Sequence, residues 1–449
     1  MTMFKKLIPL LLLASALQAQ TVAYVANSND NTVSVIDTST NTVTATIVVG
    51  GFPIGVVFSP DGTRAFVTNQ SGSSISVINT ASNTVVATVA LPAGALPSRP
   101  QVLAITPDGS SLYVPDVSNN DVLVISTATN SVIATIPVGT QPTSVAVTPD
   151  GAHAYVLGLG FVSVIATATN TISAGPISVN SGGVEIASPG LAVTPAGDFV
   201  YVSPEGNGNL VTVISTASNT VSATVSVPGA GLLDGLAITP DGSRVYIADL
   251  FNNVDVIDTA TNTLEPSSIP AGSLPNAVAI TPDGAFLYVT DLGSNTVSVI
   301  DTSTTNIVAT VGVGSGNQVI AIAPLHAPLA TLTIENLVIN NNLHEQGDFA
   351  LGANTGGIDL AHQPLTLTAN NFSLTIPAGS FKQVGGNMHF VFNGTVNGFK
   401  VNFNIQAEHG SSTQFDFVFD VHGVSITGPN PATVGLKIGH NSGTTTAPF

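Results

Sequence analysis

An all-β fold is what this sequence predicts: a seven-bladed β-propeller with a composite closing blade, followed by an antiparallel β-sandwich. Three observations carry that expectation. The 449 residues are only 8% charged, include 43 Gly and abound in Thr, Ser, Asn and Val, a composition that disfavours helices. A unit of about 42 to 47 residues recurs seven times before the composition changes near residue 324. Each unit holds four short β-branched runs separated by turn residues, and a period of ~40–50 residues with four strands marks a propeller blade.

The first element in chain order is a leader. Lys5 and Lys6 precede an apolar run from Leu7 to Leu17, and Ala19 ends it with a small residue, the three-part pattern of a secretory signal peptide over residues 1–19. Those 11 residues span about half of a ~30 Å hydrocarbon core, so cleavage is expected rather than anchoring. No later stretch reaches ~18 uninterrupted apolar residues, so no transmembrane segment is expected in the mature chain. A periplasmic, cell-surface or secreted location follows.

The propeller is expected over residues 20–324. Its first unit reads Ala23-Tyr24-Val25, Thr32 to Asp37, Asn41-Thr42-Val43, then Val56 to Gly62. The aromatic of the first run recurs at Phe66, Tyr113, Tyr155, Tyr201, Tyr246 and Tyr288. Pro60-Asp61-Gly62 recurs as Pro-Asp-Gly strings ending at Gly109, Gly151, Gly242 and Gly284, with Pro suited to φ near −65° and Gly to positive φ, so each string is a hairpin turn. The aspartate of such a turn braces its own backbone, and Pro195-Ala196-Gly197 lacks it, so no catalytic use of this carboxylate is expected. The repeat begins on a second-type strand at Val22 and ends on an inner-type strand, Val319 to Pro324, so the two ends are expected to share blade one and close the ring.

Phe66-Val67-Thr68-Asn69, Tyr288-Val289-Thr290-Asp291 and the turn Asp258 to Asn262 recur in register with the Pro-Asp-Gly turns. On these strings the stretch 22–324 resembles the YVTN-type β-propeller repeat. The resemblance implies an exported or surface-associated protein; some similar seven-bladed propellers are lactonases or parts of quinoprotein and nitrous oxide reductase enzymes, so fold alone does not choose an activity.

After Pro324, Leu325 to Pro328 reads as a linker into residues 325–449. Phe415, Phe417, Phe419 and Val421 alternate with Asp416, Val418, Asp420 and His422, and similar runs give about seven or eight strands, for which a β-sandwich is the natural packing. The string Thr375 to Phe381 resembles a domain found alone or beside propellers in exported bacterial proteins.

The chemistry expected is sparse. With no Cys, disulfides, thiolate metal sites, iron–sulfur clusters and lipid attachment through cysteine are excluded. A net charge of −18 argues against a nucleic-acid partner, because phosphates would be repelled. All six tyrosines occupy the repeat's aromatic position, where they read as core. One histidine, His153, falls in the propeller, in a turn, so a histidine-lined centre in the pore cannot be built. His326, His344, His362, His389, His409, His422 and His440 cluster in the last segment without chelate spacing, and whether they bind metal stays open. No Gly-x-Ser-x-Gly elbow occurs. No cofactor is expected.

Loop lengths point to one face. The Pro-x-Gly turn reaches the next aromatic in four residues in all six cases, and the third-to-fourth-strand turn is four residues in six units and five in the last. The other two connections vary, the inter-blade span from 20 residues (Asn41 to Asp61) to 26 (Asn170 to Ala196). In antiparallel blades the constant turns share one face and the variable connections the other, and variable loops on a rigid scaffold are where binding resides. The candidate binding residues are therefore Arg99 and Glu185 on long inter-blade loops, Asp234 where other units have Pro, and Glu205 and Phe251 on second-to-third-strand loops. The expected function is an exported scaffold binding a protein, glycan or cell-envelope partner without catalysis. A lactonase-like hydrolase with a carboxylate-bound Ca²⁺ in the pore, and a structural envelope or matrix component, are the alternatives.

Overall fold

The computed structural model describes residues 21–92, 103–179, 190–203, 209–230 and 232–324 with their side chains, and past residue 328 the backbone of ten strands and the Val401 side chain. Seven antiparallel sheets form the ring, each with four strands from the axis outward, in sequence order in six of them and with one outer strand split. Blade 2 is typical, with Gly51–Phe58 innermost, then Arg64–Ser71, Ser74–Asn79 and Thr84–Ala90. Blade 1 is composite: Asn317–Ile322 pairs with Val22–Asn27, Ala23 opposite Ile322 and Asn27 opposite Asn317. The ring therefore closes as the order of repeats requires, on a strand that starts two residues before Val319.

Each blade's two middle strands are covered on both faces by neighbouring blades, so they read as nearly continuous apolar runs instead of alternating ones. Seven apolar clusters result, one per blade interface. Between blades 1 and 2, for example, Tyr24, Val35 and Ile47 meet Val56, Phe58 and Val67. The outer strands are mostly exposed, as in Thr42–Val48. A register shift recurs where the third strand meets the outer one, between Val35 and Ile36, Val77 and Ile78, and their equivalents. Such bulges twist an edge away from foreign strands, a protection these uncharged edges need.

The constant face is locked by three repeated contacts. Each turn aspartate accepts bonds from its own hairpin, as Asp108 Oδ1 does from Thr106 Oγ1 (2.5 Å) and the Ser110 N–H (3.0 Å). In blade 5, where Ala196 replaces the acid, Asp198 takes the bond from Thr194 Oγ1 (2.5 Å). The Pro of one turn packs on the Gly of the next blade's turn: a Cβ on Gly109 would lie 3.2 Å from Pro60 Cδ, and one on Gly151 3.4 Å from Pro107 Cδ. The core tyrosines reach across the interface too. Tyr24, Tyr113, Tyr155, Tyr201 and Tyr288 donate to the carboxamide oxygens of Asn83, Asn170, Asn219, Asn262 and Asn41 on the next blade at 2.5–2.7 Å. These asparagines hold left-handed φ near 50° in their turns, a conformation Asn tolerates.

Two local expectations are corrected. His153 opens the strand His153–Gly158 and is not in a turn, because the Thr148 to Gly151 hairpin is already closed before it. Past residue 328 the described residues form ten strands, more than the seven or eight expected, in two antiparallel sheets. Six belong to a sheet in which Gln414–His422 lies between Asn342–Leu351 and Phe399–Ala407; four belong to one in which Leu365–Ala369 lies between Phe372–Ile376 and Ala432–Ile438.

Candidate functional site

The inter-blade loops meet the second-to-third-strand hairpins on the variable face, and a repeated clamp joins them. The Asn31 carboxamide oxygen accepts the Phe52 N–H (2.7 Å), Asn120 that of Gln141 (2.8 Å), Asn252 that of Leu274 (3.1 Å) and Asn295 that of Gly316 (3.1 Å). The accepted N–H belongs in each case to a residue of positive φ: 54° at Phe52, 51° at Gln141, 53° at Leu274 and 72° at Gly316. Glycine adopts this freely. For Phe52, Gln141 and Leu274 it costs about 1–2 kcal/mol, and each also precedes a proline, which further disfavours it. The scaffold thus holds strained backbone at the apex of these loops, and such strain concentrates at sites of function.

The side chains at these apices face solvent. Phe251 is 65% exposed, Leu274 44% and Phe52 37%. Phe251 and Leu274 belong to adjoining loops, since Asn252 holds the Leu274 N–H while the Phe251 N–H is donated to Asp249 Oδ1 (3.0 Å). Half-buried leucines lie on the same loops: the Leu250 N–H is donated to Leu232 O and the Leu292 N–H to Leu274 O. An apolar platform therefore crosses blades 6 and 7.

Of the residues expected here, Phe251 is on this platform. Asp234 lies on the inner strand Leu233–Ile238 of blade 6 and is only 2% exposed. It does not stand where other units have Pro: Leu233 pairs with Asp249 as Pro275 pairs with Asp291 and Pro53 with Asn69, so Asp234 shares its register with Asn276 and Gln318 at the axial end of this face. The same one-residue irregularity follows Leu233, Pro275 and Pro53, so Leu233 is the residue in the Pro position. Its backbone oxygen accepts from Ser203 Oγ (3.0 Å), and Asn276 Nδ2 donates to Gln318 O (2.6 Å). Arg99, Glu185 and Glu205 lie outside the described residues.

Each second strand tends to end here on a buried amide or acid: Asn27, Asn69, Asp116, Asp249 and Asp291 are 0–3% exposed. Their first task is to brace the incoming loop. The Gly272 N–H is donated to Asp291 Oδ1 (3.0 Å) and Ser298 Oγ donates to Asp291 Oδ2 (2.7 Å). Side chains are barred from the incoming position, because a Cβ on Gly50, Gly272 or Gly314 would lie 2.3–2.8 Å from the Asn69, Asp291 or Asn27 side chain.

Blade 3 carries two acids directly opposite each other, Asp116 and Asp121. Partial burial, then the Asp116 charge, pushes the Asp121 carboxyl up to about 6. A carboxyl raised in the folded state contributes stability below its unfolded value near 3.9 and loses it as pH rises through 6. Blades 1 and 7 have Thr32 and Thr296 at this position, and Thr296 Oγ1 donates to Asp291 Oδ2 (3.2 Å). Asp121→Thr is therefore expected to stabilise the chain at pH 7 by about 1 kcal/mol after solvent screening, with the gain vanishing near pH 4, as read by urea unfolding at both pH values.

The described chemistry of the face is oxygen donors, amides and apolar side chains. Among the described residues no three His, Asp or Glu side chains converge, and no helix is long and apolar enough to cross a membrane. A cleft of about 340 Å³ between blades 3 and 4 lies on the constant face, where Asp108 and Asp150 already accept bonds from their own hairpins.

Compared with known proteins, the chain matches no protein family and no curated protein. Solved structures do resemble it. Kuenenia stuttgartiensis hydrazine synthase matches with a TM-score of 0.53 and 23% identity, over 61% of this chain and 92% of that one. A functionally unknown protein from Desulfotomaculum acetoxidans DSM 771 matches with a TM-score of 0.58 and 21% identity, over 68% and 99%. Dihydro-heme d1 dehydrogenase NirN, in complex with DHE, matches with a TM-score of 0.50 and 14% identity, over 67% and 74%. What they share is the propeller. At these identities the likeness is one of fold, and activity has to be argued from the site.

Proposed function

We propose that this chain is an exported, non-catalytic propeller scaffold that binds a protein, glycan or cell-envelope partner through its variable face. Export rests on the leader pattern of residues 1–19. The observation that carries the binding reading is the exposed Phe251 and Leu274 platform on loops held in strained backbone, since an apolar patch kept in solvent at such expense marks an interaction surface.

The test uses that strain. Asn accepts positive φ, so Leu274→Asn should fold as well as the parent or melt slightly higher. Combined with Phe251→Ser, it should abolish capture of the parent's partner from envelope extracts. Capture that survives the double substitution, while changes in the Asp108 or Asp241 hairpins abolish it without unfolding, would place the function on the constant face.

A second reading, a lactonase-like hydrolase with Ca²⁺ in the pore, draws on Asp234, Asn276 and Gln318 sharing one register position and on enzymes among the structural neighbours. Turnover on a lactone panel that disappears with EDTA would favour it over binding alone.

A further inference from the structure

Each second strand opens on the constant face, beside the groove that separates its blade from the next. At this first position six blades carry Val22, Arg64, His153, Phe199, Arg244 and Phe286, as their cross-strand pairing shows, whereas blade 3 carries the small Ser111. Blade 2 shows what a long side chain does there. The Arg64 guanidinium lies 5.5 Å from the centre of the Phe66 ring and donates to the Thr127 carbonyl of blade 3 (2.6 Å). The chain thus holds a guanidinium of its own in the groove between blades 2 and 3.

One blade further on, the same receptor recurs without the arginine. Tyr113 stands at the Phe66 position. Thr167 stands at the Thr127 position, since each of these threonine hydroxyls donates to the hairpin glycine carbonyl of its own blade, Gly151 and Gly109. With only Ser111 to cover it, the groove between blades 3 and 4 is an open cleft of about 340 Å³, lined by Ser111, Tyr113 and Thr167 together with Asp108 and Asp150. That volume lies at the lower end of the ~300–1,000 Å³ range of ligand sites. The bond from Thr148 holds the Asp150 carboxyl below the usual carboxylate range, and in Asp108 the bonds from Thr106 and Ser110 together outweigh partial burial to the same effect. Both are therefore anions at neutral pH. Among the described residues the arginines are Arg64 and Arg244, and Arg244 is paired with Glu265 at 2.7 Å, so neither occupies this cleft.

We propose that the cleft between blades 3 and 4 binds the guanidinium group of a second molecule. The Tyr113 ring takes the place of Phe66 beneath the cation, the Thr167 carbonyl that of Thr127 as acceptor, and the two carboxylates at the rim supply the opposite charge. A chain of net charge −18 also draws cations towards it. The site is on the face opposite the Phe251 platform and does not rest on the binding function proposed above.

The full chain is titrated at low salt with ethylguanidinium, with acetyl-Gly-Arg-Gly-amide and with acetyl-Gly-Lys-Gly-amide, and binding is read by ligand-observed nuclear magnetic resonance. One charge-assisted bond and one cation–π contact correspond to a dissociation constant of about 1–10 mM for the guanidinium probes. The lysine peptide should bind roughly tenfold more weakly, because an ammonium is more strongly hydrated and lacks the planar face. Ser111→Arg rebuilds the blade 2 arrangement, so it should fold, fill the cleft and abolish binding. Ser111→Phe, which copies blades 5 and 7, should close the cleft in a second way, while Ser111→Ala should leave binding intact. An arginine peptide that binds more tightly than ethylguanidinium assigns the ligand to a peptide arginine, and equal binding assigns it to a small guanidinium compound. Leu274→Asn with Phe251→Ser should change none of this, which separates the site from the variable face. Three results would overturn the proposal: a parent that binds no guanidinium probe, arginine and lysine peptides that bind alike, or Ser111→Arg and Ser111→Phe variants that bind as the parent does.

Discussion

A chain lacking residues 317–324 is expected to aggregate or lose its cooperative unfolding transition. The deleted strand supplies the whole inner edge of blade 1. Around it the Ala323 N–H is donated to Val22 O (2.8 Å), the Ser28 N–H to Gly316 O (2.9 Å) and Asn276 Nδ2 to Gln318 O (2.6 Å). Its side chains also serve two interfaces, Ile320 with Tyr288 and Val297 on one side, Ala323 with Tyr24 and Phe58 on the other. At ~1.5–3 kcal/mol per buried aliphatic side chain, before the ladder bonds are counted, the loss is about 5 kcal/mol, comparable to the stability of an ordinary domain. The opened ring would then expose the strand Val22–Asn27, an uncharged edge and a template for pairing with other chains. Size-exclusion chromatography and a thermal melt followed by circular dichroism read the outcome. A soluble monomer melting as sharply as the parent would show that the closure does not carry the ring's stability.

The architecture was legible because the propeller repeats one physical solution seven times. Buried second and third strands demand β-branched runs, and constant hairpins demand Pro and Gly, so each blade carries the same signature. The closure was legible from strand order alone. What escaped were relations between blades, which no single repeat displays. The asparagine ending the third-to-fourth-strand turn reads as a turn former, yet in five blades its carboxamide is the acceptor for the preceding blade's tyrosine; its recurrence in phase with the tyrosines was the available signal. In the last unit the five-residue turn hid the same geometry, for Thr305 takes the left-handed position and the Thr305 N–H is donated to Asp301 O (2.8 Å). Asp234 stands one position past the Pro position, which Leu233 fills eight residues before Asp241 as Pro53 and Pro275 do before Asp61 and Asp283. Asp255 was visible as an acid where other units carry Ser, Thr or Leu, but its burial at 3% exposure was not.

The exception among the seven aromatics yields the sharpest stability test. Phe66 has no hydroxyl, and the oxygen it would have reached, Asn130 Oδ1 on blade 3, is buried and without a partner. Phe66→Tyr is therefore expected to stabilise the chain by about 1 kcal/mol, the net worth of an added hydrogen bond that also satisfies an orphaned acceptor. The environment can accept the ring's extra atom, since five other interfaces hold Tyr and Asn at these positions 2.5–2.7 Å apart. Arg64, whose guanidinium sits 5.5 Å from the Phe66 ring and donates to Thr127 O (2.6 Å), should be undisturbed. The reverse change, Tyr288→Phe, would leave Asn41 Oδ1 without its donor and should cost about 1–3 kcal/mol. A double-mutant cycle by chemical denaturation decides: Phe66→Tyr should gain nothing when Asn130 is Ala, and an equal gain in both backgrounds would mean that packing is responsible and not the bond. Alkaline pH adds an independent reading. Burial pushes the Tyr155 and Tyr201 hydroxyls up to about 12, so these donors stay protonated in the fold while the unfolded chain ionises near 10. Stability should hold below pH 10 and fall as pH rises towards 12, and Phe66→Tyr should steepen that fall.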